Sequence, residues 1–126
     1  MVPGCSDMRR VCVESPYRGT AYYSVEQHRL YLQFCLLDCL SKGEAPFASH
    51  ALYPAVLDDD DPVERGTGIK AGYVWGELAD VVAVYSDLGV SPGMKESVAH
   101  WKAIGKPIEW RAIDHNLLKS VHEAAP

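Results

Sequence analysis

Two spacings of hydrophobic residues alternate along the chain: short β-branched runs, and longer stretches with apolar residues three and four apart. The run "RVCVES" (10–15) predicts a strand, and "SPYRG" after it is a turn signal. Ser24-Val25-Glu26-Gln27 is a capping box. Leu30, Tyr31, Phe34, Cys35, Leu37 and Leu40 follow it at helical spacing until Lys42-Gly43, so a helix of about 18 residues is predicted. "APFASHALYP" (45–54) predicts a second short strand passing into a loop, which continues through the acidic run Asp58-Asp59-Asp60-Asp61. A second helix is predicted from about Val63 to Leu78, with Gly66, Gly68, Gly72 and Gly76 lowering its intrinsic propensity. "ADVVAVYSD" (79–87) is the clearest strand, apolar on both faces and therefore central in a parallel sheet. A third helix starts at Ser91 and ends near Gly105-Lys106. "PIEWRAI" (107–113) is a further strand, and Asp114 can cap a last helix, "HNLLKSVHEA".

This β-α-β-α-β-α-β-α order predicts a small Rossmann-like, flavodoxin-like α/β domain over residues 9–126, with residues 1–8 as a loose tail. Its four to five parallel strands should run in the order 2-1-3-4, with helices on both faces and right-handed crossovers. Ligands bind such sheets outside the carboxyl ends of the strands, where the winding reverses. The residues just after each strand therefore carry the functional reading.

Composition adds exclusions. The net charge of −5, with Lys and Arg scattered, argues against a surface that coats a nucleic-acid polymer. No apolar run approaches the roughly 20 residues that span a bilayer, and "MVPGCSDMRR" lacks a secretory core, so a cytoplasmic protein without a membrane partner is expected. Cys5, Cys12, Cys35 and Cys39 form no CxxC pair and no zinc-like spacing with histidine, and are read as free, mostly buried thiols. No metal site is expected.

The strand ends bring together chemistry that the composition does not reveal. Ser15, Pro16, Tyr17 and Arg18 follow the first strand, His50 and Tyr53 the second, and Asp87, Ser91, Gly93 and Met94 the central one. Ser91-Pro92-Gly93 is a strong helix start whose free amides favour an anion. Tyr17-Arg18 can stack on and pair with a nucleotide, and His50 can carry a proton. Each also has a plain structural reading: a cap, a surface turn, a locally bonded histidine. The four aspartates lack the alternation of a cation loop and are read as a solvated loop, with Arg65 available to pair with them.

The segments "VESPYRG" (13–19), "SHALYPAVLDDDDPVERGTGI" (49–69), "DVVAVYSDLGVSPGM" (80–94) and "GKPIEWR" (105–111) resemble the nucleoside 2-deoxyribosyltransferase-like proteins. More closely, they resemble a small branch of that superfamily common in bacteriophages and their hosts. The resemblance implies a Rossmann-like fold assembling into homodimers or larger homo-oligomers. It also implies an activity that cleaves or exchanges the N-glycosidic bond of deoxynucleosides or nucleotides without metal or cofactor. A glutamate on the helix after the central strand attacks the sugar carbon, and an aspartate elsewhere serves the base. Counted back from "GKP", the glutamate position falls on Ser97, and Glu96 is its neighbour, about 100° away around a helix. A second acid of related hydrolases, three residues ahead of Trp75, falls on Gly72.

Two readings follow, with an adaptor carrying a vestigial pocket as a third. In the first, an enzyme uses Glu96 as nucleophile or base, with Asp87 and His50 as acid/base partners. Ser15, Pro16, Tyr17, Arg18, Tyr53, Arg65, Ser91, Gly93, Met94 and Ser97 then bind the nucleoside or nucleotide. In the second, the same crevice holds or sequesters a nucleotide without turning it over.

Overall fold

Five consecutive buried residues, Val81–Tyr85 (β3), form the centre of the sheet. Burial on both faces explains why their pattern is continuous rather than alternating. A computed structural model describes residues 7–124. In it β3 pairs in parallel with β1 (Arg10–Glu14) on one side and β4 (Ile108–Arg111) on the other. The short β2 (Ala45–Phe47) pairs with the outer edge of β1, giving the order β2-β1-β3-β4. This is the predicted all-parallel, doubly wound arrangement. Residues 1–6 of the expected tail, Cys5 among them, lie outside the described residues.

The helices divide between the two faces. Helix α1 (Val25–Ser41) and α4 (His115–Glu123) pack Tyr31, Leu32, Cys35, Cys39 and Val121 onto Val11, Val13, Val81, Ala83 and Tyr85. On the opposite face α3 (Pro92–Ala103) sets Met94, Val98 and Trp101 against Cys12, Val82 and Val84. Alternate residues of β1 and β3 thus serve different cores, as the pleat requires. Cys12, Cys35 and Cys39 are buried free thiols, and burial raises the pKa of each.

Helix α1 starts on the predicted capping box: Gln27 N–H donates to Ser24 Oγ, and Ser24 N–H to the Gln27 side chain. The second helix, α2 (Pro62–Gly76), begins directly after the acidic run, whose last residue is its N-cap. Asp61 caps it, accepting from the amides of Val63 and Glu64. The four aspartates are therefore not merely a solvated loop. Asp59 also receives the Arg18 guanidinium at 2.8 Å, with Arg65 3.7 Å away.

Two of the α2 glycines are close-packing positions. A Cβ on Gly72 would lie 2.7 Å from Ser49 Cβ, and one on Gly76 2.8 Å from Trp101 Cζ2. The edge of the sheet is tied by a buried charge cluster. Arg111 clasps Glu44 through two N–H···O bonds of 2.7 and 2.9 Å, and Arg9 adds a third at 2.6 Å. These bonds hold the Glu44 carboxyl down at about 2. Among the described residues no helix is long and apolar enough to cross a membrane.

Candidate functional site

Because β1 and β3 are adjacent while their connections lead to opposite faces, a crevice opens beyond their carboxyl ends. It is a cavity of about 720 Å³, within the range that holds a small-molecule ligand. Twelve of the thirteen residues singled out from the sequence line it: Ser15, Pro16, Tyr17, Arg18, His50, Tyr53, Arg65, Ser91, Gly93, Met94, Glu96 and Ser97.

Asp87 does not. Its carboxylate turns back into the fold, accepting from Tyr31 Oη at 2.6 Å and from the Ile113 amide at 3.1 Å. The Asp87 amide in turn donates to Tyr31 Oη at 3.0 Å. The residue ties β3 to α1 and to the segment after β4, and the expectation of an acid/base role for it is corrected.

His50 faces the cavity, and its Nε2 lies 2.7 Å from Ser15 Oγ. Burial, reinforced by the neighbouring His28, lowers its pKa to about 4. His50 is thus mostly neutral at pH 7, the form that accepts a proton rather than one that gives up an imidazolium proton. It also positions Ser15. His28 is itself buried, with Nδ1 lacking a hydrogen-bond partner, and it too lines the cavity.

The first turn of α3 carries the anion-binding geometry that its sequence suggests. Ser91 Oγ accepts from the Met94 amide at 3.2 Å, and Pro92 has no N–H, so the Gly93 amide remains for a ligand. The Arg65 guanidinium stands beside it, 3.4 Å from where a Gly93 Cβ would sit. Arg18 lies at the rim, its charge engaged by Asp59. Tyr17, Tyr22, Tyr23, Tyr53 and Tyr73 supply flat walls, whereas the other two tyrosines, Tyr31 and Tyr85, belong to the core.

The carboxylates differ most from the sequence reading. Glu96 is exposed at the mouth, while Ser97 is half-buried, its Oγ 3.5 Å from Tyr73 Oη. Deeper in the cavity stands a residue the strand-end survey passed over, Glu14, the last residue of β1. Trp101 Nε1–H donates to its Oε2 at 2.8 Å. Burial lifts the Glu14 carboxyl to about 7 from an ordinary 4.5, and the Trp101 bond offsets part of that rise. Trp101 is fixed by α2: its indole occupies the space left open at Gly76, and Tyr73 meets it edge-on at 5.3 Å. Tyr73 in turn stacks on His100 at 3.8 Å. A signal was present, since Glu14 is an acid closing an apolar strand at the switch point.

Sequence comparison decides the family. The chain belongs to the DUF7768 family. The match, to a domain of unknown function, covers residues 9–111, hence all four strands and three of the four helices, α1 to α3. The whole cavity wall falls inside the DUF7768 domain. No curated protein and no solved structure matches the chain.

Proposed function

We propose that this cavity binds a nucleoside or nucleotide and that the protein cleaves or exchanges its N-glycosidic bond, as the likeness to nucleoside 2-deoxyribosyltransferase-like proteins implies. The observation that carries the reading is the joint presence, in one cavity at the switch point, of a helix start, tyrosine walls and a deep carboxylate. The free Gly93 amide and Arg65 suit a phosphate or sugar oxygen. The tyrosines suit a planar base, and a carboxylate suits the cationic sugar carbon that develops as the base departs. At the carboxyl end of α2 and just beyond it, the exposed Val74, Trp75 and Leu78 offer a homo-oligomer an apolar surface.

A second reading, binding without turnover, is favoured by Gly72 and Ser97. The first has no room for an acid against Ser49, and the second is no carboxylate. One experiment separates the two. The protein is incubated with the common deoxynucleosides and their 5′-monophosphates, and free base is sought by chromatography alongside melting curves. Released base supports the enzyme. A nucleotide-dependent rise in melting temperature without released base supports the binder.

A further inference from the structure

We infer that Glu14, at the carboxyl end of β1, is the carboxylate that attacks the anomeric carbon, in place of any acid on α3. The inference rests on the reading of the cavity as an N-glycoside site and adds to it the residue that performs the reaction.

Three observations converge on Glu14. It lies in the depth of the cavity, whereas Glu96 stands exposed at the mouth. Only one of its oxygens is engaged: Trp101 binds Oε2, and no donor among the described residues meets Oε1. The support is also rigid. Trp101 is buried to 1% exposure, seated over Gly76 on α2 and braced by Tyr73. A carboxylate with one oxygen clamped and the other free toward a cavity has the geometry of a positioned nucleophile.

The placement also explains Ser97. Trp101 lies one helical turn after Ser97 on α3, so the Glu14 carboxylate reaches α3 from the strand side. A second carboxylate at position 97, facing the same cavity, would put two negative charges close together and oppose ionisation of both. With a serine there, no carboxylate stands at position 97, and the neighbouring Glu96 lies about 100° further round the helix, exposed at the mouth.

The reaction balances without a cofactor. In its ionised form, which prevails above about pH 7, Glu14 directs an electron pair of Oε1 to C1′ as the C1′–N bond breaks, and that bonding pair leaves on the base nitrogen. A water molecule protonates the departing base. The hydroxide so formed then bonds to C1′ as the C1′–Oε1 bond breaks, returning the electron pair to Glu14. One water is consumed, and nothing is oxidised or reduced.

The test compares wild type, Glu14→Gln and Glu96→Gln over the deoxynucleoside and 5′-monophosphate panel, with base release and ligand-induced melting shifts measured on each. Glu14→Gln, which can still accept the Trp101 bond, should lose base release by about a hundredfold or more while keeping the wild-type melting shift. Glu96→Gln should keep at least about tenfold more base release than Glu14→Gln, and a loss as large as that of Glu14→Gln would overturn the assignment. Base release by Glu14→Gln at the wild-type rate overturns the assignment and leaves the proposed function standing. Absence of base release from wild type across the panel removes both. Should Glu14→Gln fail to fold, Glu14→Asp keeps the charge but withdraws it by one methylene. Its kcat should fall roughly tenfold or more at unchanged KM, and an unchanged kcat overturns the assignment.

Discussion

At the residue scale, Glu14 and His50 are displaced in opposite senses by the same cause, burial beside the cavity. The folded protein keeps a proton on Glu14 up to about pH 7, whereas the unfolded chain releases it near 4.5. Its contribution to stability therefore falls as pH rises from 4.5 to 7. His50 behaves in reverse: the unfolded chain protonates it near 6.5 and the folded protein only near 4, so its contribution falls as pH drops through that window. Between pH 4.5 and 6.5 the two slopes oppose each other and largely cancel. Glu14→Gln removes one of them. Its unfolding free energy, measured in urea at pH 4.5, 5.5 and 6.5, should rise with pH by about 2 kcal/mol beyond any change in wild type. Parallel profiles for the two proteins would mean that Glu14 does not hold its proton in the fold.

At the element scale, α2 shows why glycines that weaken a helix can be required by it. Gly76 makes room for Trp101, and a methyl group there would meet the indole and approach Cys12 Sγ to 3.2 Å. Gly76→Ala should cost about 1–3 kcal/mol through overpacking and, by displacing Trp101, release the Glu14 carboxylate. Gly66, on the same helix, has open space around its Cα. Gly66→Ala should instead stabilise by about 0.5–1 kcal/mol, because alanine is the better helix former. Thermal melts of the two variants give the comparison, and equal stability for Gly76→Ala and wild type would contradict the packing argument.

The elements were legible in the sequence because each carries its own punctuation: the Ser24-Gln27 box, the Ser91-Pro92-Gly93 start, and the uninterrupted apolar run of β3. The start of α2 falls one residue before the predicted Val63, because Asp61, part of an acidic run in the sequence, is an N-cap preceding Pro62.

At the scale of the whole molecule, the parallel order β2-β1-β3-β4 explains why residues from three separate loops meet in one cavity. The strand-end rule located Ser15, His50, Tyr53 and Ser91 because topology alone puts them there. It failed for Asp87, whose side-chain direction depends on a tertiary partner, Tyr31, 56 residues away in the chain. It also failed for Glu14, since only the contact with Trp101, 87 residues on, turns a strand-terminal acid into a held carboxylate. His50 was found, but its neutral state follows from burial that the sequence does not display.

The most direct test of this account is a crystal structure of Glu14→Gln with a deoxynucleoside 5′-monophosphate bound. We expect the phosphate at the Gly93 amide, the base among the tyrosines, and C1′ within about 3.5 Å of the residue 14 side chain, the separation of a near-attack arrangement. A nucleotide seated with C1′ turned toward Glu96 or Ser97, away from residue 14, would contradict it.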